Sequence, residues 1–169
     1  MTVFFYDLAD PWCWIAAELV NSAFEDGVPE WQPVLMPDAI GAVDKSAISD
    51  LAPMPPRWPD PLPADTHTAM LAATFAKKSG RAVAFSLAAF RQAFAAGKDL
   101  GETDNVLIAA AACELHPRAV LKGIETRSTQ DDLAKATAAA RERGITELPA
   151  LVRDDRVHQG KPLLDLLLS

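Results

Sequence analysis

Residues 3–14 read Val3-Phe4-Phe5-Tyr6-Asp7-Leu8-Ala9-Asp10-Pro11-Trp12-Cys13-Trp14. The first half, Val3 to Leu8, is short, aromatic and β-branched, which predicts a buried strand. The second half begins a helix. Asp10 is a favoured N-cap, and Pro11 suits the first helical position because its missing N–H would have no partner there. Ile15, Leu19 and Ala23 recur at helical spacing, Val20 and Phe24 widen the apolar stripe, and Gly27 can end the segment. A strand that turns directly into a helix in this way makes the next strand the deciding element. Glu30 to Met36 supplies it, with Pro33 suggesting an edge or a bulge.

The middle of the chain has another texture. Six of the 13 prolines fall between Pro53 and Pro63, a density that excludes regular structure, so 37–63 reads as an extended loop. A loop this long inside a compact domain is more often functional or mobile than neutral, and it could wall a site with Trp58 as the contact. A block of helices follows. Asp65 is the expected cap of a segment carrying Met70, Leu71 and Phe75. The next carries Phe85, Ala89, Phe90 and Phe94. Thr103 caps a third and Pro117 opens a fourth. Thr129 with Asp132 resembles a capping box for a helix running to Arg143. Leu148 to Arg153 and Arg156 to Gln159 are strands joined by a tight turn at Asp154-Asp155, and Pro162 opens a final Leu-rich helix. The order β-α-β, helical block, α-β-β-α calls for an α/β architecture: a mixed sheet with helices on both faces and the helical block inserted midway.

Bulk properties narrow the function. The 169 residues fit one domain with a substantial core, and half of them are hydrophobic. The net charge of -7 argues against sequence-independent nucleic-acid binding, which needs clustered cations. No apolar run approaches the roughly 20 residues that span a bilayer, and the first residues do not read as a signal peptide. Cys13 and Cys113 are far apart in sequence, so reduced thiols in a cytoplasmic protein are expected. His67, His116 and His158 have no metal-ligand spacing with either cysteine, and no metal is assigned.

Two places could carry chemistry. Cys13 would be the third residue of the first helix, where unpaired N–H groups and the helix dipole lower a thiol pKa if the sulfur is accessible. Otherwise, behind Trp12 and Trp14, it is a small apolar filler. Asp10 is explained completely by capping; as a functional group it would be a base beside a bound thiol, though its pKa should fall at a helix N-terminus. The second place is Leu148-Pro149, where proline enters a strand inside the sheet; a cis bond in a tight turn would account for it, and so would a trans proline opening the strand.

Taken together, these segments resemble a known family. Phe5-Tyr6-Asp7 followed by Asp10-Pro11-Trp12-Cys13-Trp14 is similar to the first strand and active-site turn of the DsbA superfamily. The branch it most resembles is that of the 2-hydroxychromene-2-carboxylate isomerases and kappa-class glutathione transferases. Trp31 to Leu35 resembles their second strand, the stretch through Ala93, Gly97, Asp99-Leu100 and Val106-Leu107 their insertion, and Gly144 to Pro149 the loop bearing their cis-proline. The resemblance implies a thioredoxin-like fold with an all-helical insertion, the thioredoxin-like part being 1–36 and 129–169 and the Pro-rich loop and insertion 37–128. It implies either a thiol-dependent oxidoreductase or a glutathione-dependent isomerase or transferase, with Cys13 and Asp10 as catalytic residues. Pro11, Trp12, Trp58, Leu148 and Pro149 would contact a small thiol or other small-molecule substrate. Leu148, before the proline, would pair through its backbone with a cysteinyl peptide or glutathione. Glutathione is the one cofactor the resemblance implies, and homodimerisation is a family expectation.

The departures matter as much. Disulfide oxidoreductases of the superfamily use C-x-x-C; here Asp10 stands at the first position and Cys13 at the second. The isomerase branch places Ser at that first position to hold a thiolate, which a carboxylate would repel unless one of the two groups is protonated. Where that branch holds the γ-glutamyl end of glutathione with polar residues, this chain keeps Gly160 but has Lys161-Pro162. A non-enzymatic thioredoxin-like binding module that has lost redox chemistry is the alternative reading.

Overall fold

In the computed structural model, which describes residues Met1–Ser169, the first strand β1 (Thr2–Tyr6) is buried along both alternating sets of side chains from Val3 onward. A strand buried on both sides must carry helices over both faces of its sheet. It is followed by α1 (Pro11–Val20), β2 (Glu30–Pro33) and a short 3-10 turn (Pro37–Ala39). Six helices come next: α2 (Lys45–Leu51), α3 (His67–Lys78), α4 (Ala82–Phe94), α5 (Thr103–Ala112), α6 (Pro117–Glu125) and α7 (Arg127–Glu142). The chain closes with β3 (Ala150–Arg153), β4 (Arg156–Gln159) and α8 (Gly160–Leu168). No helix is long and apolar enough to cross a membrane.

The sheet order is β2-β1-β3-β4. β1 pairs in parallel with β2 (Phe4 opposite Trp31) and antiparallel with β3 (Phe4 opposite Leu151), so the sheet is mixed and β1 lies inside it. β3 and β4 form a hairpin across Asp154 and Asp155, at φ 50° and 59°. Two consecutive left-handed residues are what a two-residue hairpin turn matched to strand twist requires. On one face of β1, Phe4 and Tyr6 stack with centroids 5.4 Å apart, Trp31 meets both edge-on, and Phe90 of α4 covers Tyr6. The Tyr6 hydroxyl is not wasted in this apolar setting: it lies 2.6 Å from the Ser86 hydroxyl, also fully buried.

Several local expectations differ from the structure, each for a traceable reason. The 37–63 stretch is not wholly irregular: α2 lies inside it, capped by Asp44, whose carboxylate accepts from the Ala47 amide. Only Ile48 of that helix is buried, so it leaves no apolar periodicity to read. α7 starts earlier than Thr129, because Thr126 takes the capping role and its hydroxyl accepts from the Thr129 amide. The caps of α3 and α5 are Thr66 and Glu102 rather than Asp65 and Thr103, and α8 begins at Gly160 rather than Pro162.

Candidate functional site

Asp10 caps α1 as its sequence requires. One carboxylate oxygen accepts from the Trp12 amide at 2.9 Å; the other lies 3.5 Å from the Cys13 sulfur, a long S–H···O contact. Both residues have no exposed surface. This reverses the fall expected for the Asp10 pKa, and of the two readings open for Cys13 it matches the enclosed filler. Burial drives the Asp10 carboxyl up to about 7, outweighing the amide bonds at the helix start. Burial also pushes the Cys13 thiol well above its ordinary value, and the Asp10 charge beside it works in the same direction. The helix dipole does act here, but desolvation of a fully enclosed group is the larger effect. Cys13 is therefore a protonated, enclosed thiol, and the accessible sulfur that a lowered pKa presupposed is not there.

Asp7, one turn upstream, is a second enclosed carboxylate, and it is fully bonded. It accepts from the Ala9 amide (3.0 Å) and the Thr66 hydroxyl (2.7 Å) with one oxygen, and from the Met36 amide (3.1 Å) with the other. Burial raises its pKa as well. Its partners come from the turn between β1 and α1, the stretch after β2 and the cap of α3, so it is a structural clasp. No local pattern around Asp7 signals that role.

A cleft of about 600 Å³ opens beside this tip. Its walls come from Trp12 of α1, the segment 38–41, α2, the segment 146–148 and α8. Of the sequence-predicted contacts, Trp12 and Leu148 line it. Pro11 and Pro149 are buried and do not reach it, and the Leu148–Pro149 peptide is cis. Trp58 is elsewhere: its ring packs edge-on against Phe94 at 6.4 Å, with the Lys45 ammonium 5.8 Å from its centroid. The proline-rich part thus packs at the end of α4, tied by the Arg57 amide to the Phe94 carbonyl, and does not line the cleft; the wall expected of 37–63 comes instead from its first half, 38–51. Cys113, at the end of α5, is a second free buried thiol whose S–H points at the Ala110 carbonyl.

Two features of the cleft escaped sequence reasoning. The Leu148 amide, expected to await a peptide-like ligand, already donates to the Ala39 carbonyl at 3.0 Å. The segment holding Ala39 is latched in turn by Asp38, which makes a two-pronged ion pair with Arg141 at 2.7 and 2.8 Å. At the start of α8, Gly160 sits at φ +60°, and a Cβ there would overlap the Glu147 carboxylate. An acidic side chain of the protein itself therefore lies beside the helix start near which a ligand carboxylate would be received, without capping its amides. Neither contact follows from a local pattern, since each joins residues that only the tertiary fold brings together.

A parallel β1–α1–β2 unit, an antiparallel β3–β4 hairpin followed by α8, and Pro149 at the entry to β3 define a thioredoxin-type fold. The particular family follows from the sequence, which matches the model of the DSBA-like thioredoxin domain over residues 2–169; the chain belongs to that family. Solved structures agree on the fold. A 2-hydroxychromene-2-carboxylate isomerase superposes with a TM-score of 0.83 at 13% identity, covering 99% of this chain and 92% of its own. The cytosolic disulfide reductase DsbM from Pseudomonas aeruginosa, solved with GSH, gives 0.71 at 17% identity, covering 99% and 95%. DsbA from Pseudomonas aeruginosa gives 0.63 at 15%, covering 99% and 78%. Comparison with curated proteins returns no match.

Proposed function

We propose that this chain is a small-molecule-binding member of the DsbA-like family, acting at the cleft between Trp12 and Leu148, in which Cys13 does not exchange disulfides. One observation carries the reading: the thiol at the helix tip has no exposed surface and lies against the Asp10 carboxyl at 3.5 Å. Exchange begins with a thiolate reaching a disulfide sulfur in line, and an enclosed, protonated thiol offers neither the charge nor the approach. The occupied Leu148 amide supports the same reading, because the N–H half of the backbone pairing that would hold a peptide thiol is already used within the chain.

The test is thiol–disulfide exchange on a reporter such as insulin, with the wild type and Cys13→Ser side by side, together with alkylation of Cys13 across pH. Equal background rates are expected, with Cys13 alkylated only on unfolding. A wild-type rate clearly above Cys13→Ser, or native alkylation with a pKa below the free-thiol value of about 8.5, refutes the proposal.

A second reading has one observation in its favour. A carboxyl held at about 7 gains and loses a proton near neutrality, which suits general acid–base work in a glutathione-dependent isomerisation or transfer. In that reading Asp10, which has no exposed surface and does not line the cleft in this structure, is uncovered when the Ala39 carbonyl leaves the Leu148 amide and then meets a glutathione thiol. Calorimetry with reduced and oxidised glutathione checks it: a binding heat that Pro149→Ala weakens supports it, and no heat with either form removes it.

A further inference from the structure

We infer that the cleft takes an organic cation, an apolar body carrying a protonated amine, and discriminates against carboxylate ligands. This rests on the reading of the cleft as a small-molecule site. A volume of about 600 Å³ is that of a pocket for a drug-sized molecule. Its walls present Trp12, Leu51, Leu148, Leu164 and Leu168, and the two leucines at 51 and 168 remain 39% and 45% exposed. Apolar side chains left open in a concave site are what a hydrophobic ligand body covers.

The charges decide which ligand. Four carboxylates line the cleft, those of Asp38, Asp44, Glu147 and Asp165, against one ammonium, that of Lys161. Asp38 is neutralised by Arg141, and Lys161 is engaged with Asp165 at 3.1 and 3.2 Å. Asp44 spends one oxygen on the cap of α2. Glu147 makes no ion pair at all and lies over the start of α8 beside Gly160. The unbalanced charge facing the cleft is therefore negative, on a chain whose net charge of -7 has the same sign.

A ligand carboxylate would look for three things here, and each is either taken or guarded by a like charge. The Leu148 amide is bonded to Ala39, the Glu147 carboxylate lies against Gly160 at the start of α8 and repels an incoming anion there without accepting from the helix amides, and the lysine is paired with Asp165. An ammonium group meets the opposite situation, because Glu147 has acceptor oxygens free and Asp44 has one more. Glutathione, with two carboxylates and one ammonium, is mismatched to the same surface.

The experiment uses three probes that share one aromatic body: naphthylmethylamine, naphthylmethanol and naphthylacetate, titrated calorimetrically into the full chain. The amine should bind about tenfold or more tighter than the carboxylate at low ionic strength, with the alcohol between them, and the gap should close as salt screens the charges. Glu147→Gln should narrow the amine-to-carboxylate ratio at least about threefold while leaving the alcohol unchanged. Parity of the three probes, preference for the carboxylate, no amine binding at millimolar concentration, or an unchanged ratio in Glu147→Gln overturns the inference. Parity still leaves a cleft that binds small molecules, whereas disulfide exchange by Cys13 would overturn that prior reading whatever the amine does.

Discussion

Asp10→Asn isolates the cost of enclosing a carboxylate at the helix tip. Asparagine caps a helix about as well as aspartate, and its side-chain oxygen can still accept from the Trp12 amide, so the substitution removes the titration and keeps the cap. In the folded chain the Asp10 carboxyl is raised by burial from 3.8 to about 7. Below the unfolded value the group is neutral in both states and costs nothing. As pH rises from there, the unfolded chain releases its proton first while the folded chain keeps it, so stability falls with pH. Above about 7 both states are ionised and the whole penalty is present. A rise of about three pH units, at about 1.4 kcal/mol each, makes that penalty about 4 kcal/mol. Asp7 is present in both proteins, so its own titration largely cancels in the comparison. The assay is urea unfolding followed by tryptophan fluorescence at a series of pH values. The stability of Asp10→Asn minus that of the wild type should climb by about 4 kcal/mol between about pH 4 and about pH 8, with most of the rise complete by about pH 7. Parallel curves, or a wild type that gains on the variant with rising pH, would mean that the carboxylate is solvated and that the enclosed tip is wrong.

Other perturbations test the packing that positions the site. Gly123→Ala should cost about 1–3 kcal/mol in urea unfolding, because a Cβ there runs into the Phe75 ring where α6 crosses α3; a change below about 0.5 kcal/mol would contradict that approach. Tyr6→Phe should cost about 1–2 kcal/mol, since it strips the fully buried Ser86 hydroxyl of its partner, and Tyr6→Phe combined with Ser86→Ala should recover part of the loss. An equal or larger loss in the double variant would show that the hydroxyl pair does not carry the effect.

What the sequence showed, and what it concealed, divides by range. Asp10-Pro11 and the Asp154-Asp155 turn announce their structures because a cap and a left-handed turn are decided by adjacent residues. Trp12 and Leu148, marked by the family resemblance, both line the cleft. The protonation of Asp10 and Cys13 was not legible: it depends on how completely the rest of the fold closes over α1, and the favourable helix end pointed the other way. Trp58 misled for a related reason. A tryptophan among prolines reads as a free aromatic surface, whereas Phe94 had already claimed it. Ala39 and Glu147 carry no side-chain or motif signal; one acts through a backbone carbonyl and the other through a glycine that lets it come close.

The three bonds of Asp7 have a bearing on how the protein could be dissected. Its carboxylate joins the tail of β2 to the first residues of the helical block, 29 and 59 positions away along the chain. A truncation that replaced the block with a short linker would strand this acid without the Thr66 hydroxyl, and the block excised by itself would lack the acid. The seam that looks natural for cutting in the linear order is therefore riveted in space, and a clean excision has to replace Asp7 with an uncharged residue in the half that keeps it.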